Sequence, residues 1–126
     1  MSYNPIQQYK QQAVNTMSQG EQLLLLFDEA IKNLRYGAKL LRENNFPVAQ
    51  KCTDKCKRIF LYLSSILDGQ YSISKELYQL YYFINQEIIR AEIKQDGDIL
   101  EKLLPLVENM RETWAEAEKI SHMHKT

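Results

Sequence analysis

The sequence has no run of about 18 apolar residues, the minimum for a helix that crosses a membrane, and Met1 to Gln12 is too polar for the apolar stretch of a secretory signal. The expectation is a cytoplasmic protein without membrane insertion. There is no excess charge either, since 16 basic residues balance 16 acidic ones, and nucleic acid or an anionic membrane is therefore not an expected partner. Cysteine is scarce. Cys52 and Cys56 stand four apart, and in a chain with no secretion signal they read as reduced thiols that serve as small core residues. The only histidines are His122 and His124, in an expected tail, and the Glu-x-x-His pairs of a dinuclear metal bundle are missing. No metal and no cofactor are expected. The glycines stand singly, which excludes a phosphate-cradling loop, and carboxylates such as Glu29, Asp54, Glu76 and Glu108 read as solvating charges or helix pairs. No catalytic residue is assigned, and the chain is not expected to be an enzyme.

What is present is helical periodicity. The 126 residues suffice for one domain with a single continuous core. Ser18 to Glu21 forms a capping box that opens a first helix, along which Leu24, Phe27, Ile31, Leu34, Ala38 and Leu41 share a face until Asn44-Asn45. Pro47 suits the first turn of a second helix, over about residues 46 to 68, with Ala49, Cys52, Cys56, Ile59, Leu63 and Ile66 as its core stripe. Ser72 or Ser74 can cap a third, with Leu77, Leu80, Ile84, Ile88 and Ala91 turned inward. Asp96-Gly97-Asp98 breaks it. Asp98 and Glu101 offer another capping box for a fourth helix with the stripe Leu100, Leu103, Val107, Met110, Trp114 and Ala117. Pro105 falls inside that helix, where it predicts either a kink or a fresh helix start.

Helices of similar length joined by short links must run antiparallel, so the fold class is all-α, an antiparallel up-down four-helix bundle. The bundle is expected over residues 18–120, with an N-terminal extension over 1–17 that packs on it and a tail over 121–126. The extension carries Tyr3, Ile6 and Tyr9 along a Gln- and Asn-rich segment that cannot form its own core.

The third helix is too apolar for its place in a bundle this small. Tyr78, Tyr82, Ile89 and Ile93 form a second stripe beside its core stripe, and Tyr81 and Phe83 add apolar surface. One reading lets the tyrosines bury their rings and wet their hydroxyls, which suits Tyr81. The other makes the stripe a protein-binding groove, extended by Leu61 and Tyr62 if the second and third helices are neighbours.

These features occur within a longer pattern. Asn4 to Tyr9, then Met17 to Leu23 leading into Leu26 to Ile31, then Leu77 to Tyr82, Ile93 to Asp96 and Arg111 to Trp114 together resemble the flagellar export chaperone family FliS. Glu92, where relatives often carry asparagine, and Pro105 depart from it. The resemblance implies a monomeric or weakly dimeric bundle that clamps the disordered C-terminal segment of flagellin, preventing premature polymerisation and aiding flagellar type III secretion. Further flagellar export or regulatory proteins are admitted as secondary partners. The surplus stripe, its extension on the second helix and the apolar residues of the N-terminal extension make Tyr3, Ile6, Tyr9, Leu61, Tyr62, Tyr78, Tyr82, Ile89 and Ile93 the expected partner-binding residues. Two other readings stay open at this level, a helical adaptor or regulatory module that binds a folded partner, and an enzyme.

Overall fold

The computed structural model describes residues 19–67, 69 and 72–123. Four α-helices follow one another in it: α1 (Gln19–Arg42), α2 (Phe46–Ser65), α3 (Ser72–Lys94) and α4 (Gly97–Met123). Each packs against its neighbours in the chain, and α4 returns against α1 to close the ring. Short links reverse the direction at each step, which makes this the antiparallel up-down bundle that the periodicity requires.

The core is a single cluster drawn from all four helices. Phe27, Ala30 and Leu34 of α1, Cys56 and Phe60 of α2, Ile84 and Ile88 of α3, and Leu100 and Val107 of α4 are fully enclosed. Phe60 and Tyr81 meet with ring centroids 5.9 Å apart and a 41° tilt, an offset geometry favoured by the ring quadrupoles. The Cys56 thiol donates to the Ala30 carbonyl at 3.5 Å, and burial pushes its pKa up to about 12. Burial also raises that of Cys52. Both thiols are therefore protonated at neutral pH and act as packing residues.

Two of the turns share one construction. At the end of α1 the Asn45 amide reaches back to the Leu40 carbonyl at 2.9 Å and the Asn44 amide to Leu41 at 3.1 Å, with Asn44 at a φ of 61°. At the end of α3 the Asp96 amide bonds Ala91 at 3.1 Å and Gln95 bonds Glu92 at 3.3 Å, with Gln95 at 51°. Each pair satisfies terminal carbonyls in a Schellman motif. The next helix starts at once. Asn45 passes its carbonyl to Ala49 at 3.0 Å, and the Asp96 carboxylate accepts from the Asp98 amide at 2.9 Å. Gly97 must be a glycine because a Cβ there would lie 2.4 Å from the Ala38 carbonyl oxygen, so α4 starts directly against the α1 backbone.

The structure corrects several local expectations. The cap of α4 is Asp96 instead of Asp98, because Asp98 already donates from the first turn. Pro105 starts no new helix: α4 runs unbroken through it to Met123, and the proline ring is exposed. Leu23, not Leu24, is buried at the start of α1, and Ala117 is exposed. α2 ends at Ser65, and Ser74 lies within α3, buried, instead of capping it. Ser18 and its capping role lie outside the described residues.

Candidate functional site

α3 presents apolar residues on two opposite sides. Tyr81, Ile84, Ile88 and Ala91 point into the core, and Tyr81 is only 2% exposed, packed against Phe60 and beside Trp114. The snorkelling reading therefore fails for Tyr81, which is a core residue. On the far side Tyr78, Tyr82, Ile89 and Ile93 recur at steps of four and seven, a spacing that holds them in one line. All four are exposed, Tyr82 to 60% and Ile93 to 78%. Phe83 is exposed as well, about a quarter-turn round the helix.

Leu61 of α2, 63% exposed, joins this line. It borders a groove of about 230 Å³ between α2 and α3 whose walls include Tyr78, Tyr82, Asn85 and Ile89. Tyr62 does not share that groove. One residue further along α2 turns it to the other flank, where it lines a separate pocket of about 390 Å³ with Gln22, Leu25 and Leu26 of α1. The pairing of Leu61 with Tyr62 is thus split between two grooves that flank α2. Tyr3, Ile6 and Tyr9 lie outside the described residues.

Two further side chains belong to this surface. Leu25 is exposed, and the signal for it lay in Leu23-Leu24-Leu25-Leu26, since four successive positions span a full turn and cannot all face one core. Asn85 lines the α2–α3 groove, and nothing in its spacing sets it apart from a solvated asparagine.

The polar chemistry beside the groove fastens α2 to α3. Glu92 accepts from the Thr53 hydroxyl at 2.6 Å, the Gln50 amide at 2.8 Å and the Lys57 ammonium at 2.8 Å, and its side chain is only 13% exposed. Burial pulls the Lys57 pKa down, yet hydrogen bonds and the charges of Glu92 and Asp54 outweigh it and the net shift is upward. The departure noted at Glu92 is therefore the centre of an interhelical clasp. Among the described residues, no group of three His, Cys, Asp or Glu side chains stands close enough to hold a metal ion.

The structure is thus a closed helical bundle that carries a long exposed apolar line on one outer helix and a second apolar pocket beside it, surface of the kind that marks interaction sites. The chain belongs to the flagellar protein FliS family, whose model matches residues 2–121. Among its relatives is the flagellar secretion chaperone FliS of Bacillus subtilis, 25% identical over 114 residues that span 90% of this chain and 86% of the relative. The flagellar secretion chaperone FliS of Vibrio cholerae is 28% identical over 116 residues, spanning 86% of this chain and 85% of its own.

Proposed function

We propose that this protein is a cytoplasmic export chaperone that binds the disordered C-terminal segment of flagellin, keeps it from polymerising before export and so serves flagellar type III secretion. The observation that carries the reading is the apolar line Tyr78, Tyr82, Ile89 and Ile93, continued by Leu61, on the outside of a bundle whose core is already complete. Family membership supplies the flagellar context. From Tyr78 to Ile93 the line extends roughly 22 Å at the helical rise, long enough for about four turns of a docked helix. A disordered client loses conformational entropy when it docks, and an elongated apolar track offsets that loss by burying many side chains at once. The mechanism is binding alone and needs no nucleotide. Among the described residues no helix is long and apolar enough to cross a membrane, which agrees with action on a client still inside the cell.

Tyr3, Ile6 and Tyr9 enter the same proposal as side chains that shield the track until the client arrives. Deleting residues 1 to 10 should then raise the binding of dyes that report exposed apolar surface; unchanged dye binding removes that role. The central test is calorimetry with full-length flagellin and with flagellin lacking its C-terminal segment. The full-length protein is expected to bind and the truncated one not to. Undiminished binding of the truncated form would overturn the mechanism and favour an adaptor for a folded partner.

A further inference from the structure

Among the described residues, one buried side-chain polar atom has no hydrogen-bond partner, and it belongs to a residue that lines the proposed client groove. Asn85 sits on α3 between Tyr82 and Ile89, and its amide nitrogen donates to the Lys57 carbonyl of α2 at 3.2 Å. Its oxygen Oδ1 is closed to solvent and bonds nothing. Turning the amide over does not relieve this, because Oδ1 would then face the Lys57 carbonyl, acceptor against acceptor. Folded proteins rarely keep a buried acceptor unpaired without a use for it.

We propose that Asn85 determines specificity in the groove: its Oδ1 accepts a hydrogen bond from a neutral donor side chain of the bound segment. The proposal rests on the reading of this groove as the client track. Three observations define the donor. A helical client satisfies its own backbone N–H groups beyond the first turn, so a donor that reaches the middle of the groove belongs to a side chain. The ammonium of Lys57 is already paired with Glu92 and Asp54, and the residues lining the groove include no carboxylate, so a charged donor would be desolvated among Leu61, Tyr78, Tyr82 and Ile89 without a counter-charge, and an amide or hydroxyl is preferred. Tyr78 and Tyr82 lie on one side of Asn85 and Ile89 on the other, so the donor stands between apolar residues about a turn away in each direction. Because Oδ1 is closed to solvent in the free protein, it meets its donor only when side chains of the groove shift as a segment docks. An apolar groove alone discriminates poorly between similar helices. A buried acceptor penalises any segment that offers it no donor.

The test is calorimetry of wild type, Asn85→Leu and Asn85→Ala with the C-terminal flagellin segment, and with versions of that segment in which each neutral donor is replaced in turn by alanine. Circular dichroism confirms that both variants are folded, and two variants of different size separate the loss of the acceptor from a steric effect. Both are expected to bind the native segment about tenfold more weakly than wild type. One donor replacement should weaken wild type by a similar factor and leave Asn85→Ala unaffected, the signature of a direct pair. Undiminished binding by both variants, or donor losses that all add independently to Asn85→Ala, overturns the proposal while leaving the chaperone reading in place. A wild type that does not bind the segment at all overturns both.

Discussion

α1 and α3 have similar lengths and both belong to the same core, yet the outer side of one is mostly charged and that of the other is mostly apolar. The outer side of α1 is charged, and its flanks are tied down: Arg111 reaches Asp28 at 2.9 Å, Arg35 reaches Glu108 at 2.8 Å, Arg42 pairs with Asp98 and Glu101, and Lys55 reaches Glu29 at 3.1 Å. Such exposed pairs contribute little individually, but they hold long side chains across the seams to α4 and α2. The outer side of α3 is Tyr78, Tyr82, Ile89 and Ile93. Its flank towards α2 is fastened at Glu92, near its C-terminal end, while the groove beside Tyr78 and Tyr82 is left open. The difference shows that an apolar residue on a helix stabilises a fold only when another element covers it. α1 supplies stability, and α3 holds apolar surface in reserve.

The comparison breaks most visibly if the core of α1 is emptied. Phe27→Ala deletes a fully enclosed ring and should destabilise the protein by roughly 3–5 kcal/mol in denaturant unfolding, whereas Tyr82→Ala should shift it by less than about 0.5 kcal/mol. A large loss for Tyr82→Ala would mean that α3 is covered after all. The converse experiment targets binding. A charge at Tyr82 or Ile89 should weaken the complex with the flagellin segment at least about tenfold, with circular dichroism unchanged. Full affinity in both variants would remove α3 from the interface.

A smaller effect concerns the clasp between α2 and α3. The Lys57 pKa in the folded protein lies above its ordinary value of 10.5. Its contribution is therefore fully present below that value and is lost as pH rises through the folded pKa. The stability gap between wild type and Lys57→Met should accordingly be constant from neutral pH to about pH 10 and shrink above it. A gap that persists at high pH would show that Lys57 acts through its hydrocarbon stem alone. The smallest expected change is a gain. Gln95 occupies the left-handed region at a φ of 51°, where glycine carries no Cβ penalty, so Gln95→Gly should raise stability by about 0.5–1 kcal/mol without altering binding. A destabilised variant would show that the glutamine side chain contributes more than its backbone costs.

The number of helices, their order and most of their inward residues follow from the sequence alone. The three-and-four spacing of Phe27, Leu34, Ala38 and Leu41, or of Ile84, Ile88 and Ala91, sets one face of each helix inward regardless of its neighbours. The surplus line on α3 is set the same way, because Tyr78, Tyr82, Ile89 and Ile93 cannot face inward while Ile84 and Ile88 do. Periodicity fixes angles round a single helix and says little about where one element ends against another. Asp96 therefore displaced Asp98 as the cap of α4, and Leu23 displaced Leu24 in a turn made entirely of leucine.

Relations between helices were decided only in three dimensions. Tyr81 is a core residue because Phe60 of α2 and Trp114 of α4 converge on it. Leu61 and Tyr62, adjacent in the chain, border different grooves because a helix turns about 100° per residue and α2 has a neighbour on each side. Glu92 becomes the centre of a clasp, and Asn85 is left with an unpaired oxygen, only because α2 sets Thr53, Gln50 and the Lys57 side chain and carbonyl at fixed distances from them. Hydrogen bonds and grooves depend on the separation of atoms remote in sequence, and a pattern of residue types along one chain carries no record of that separation.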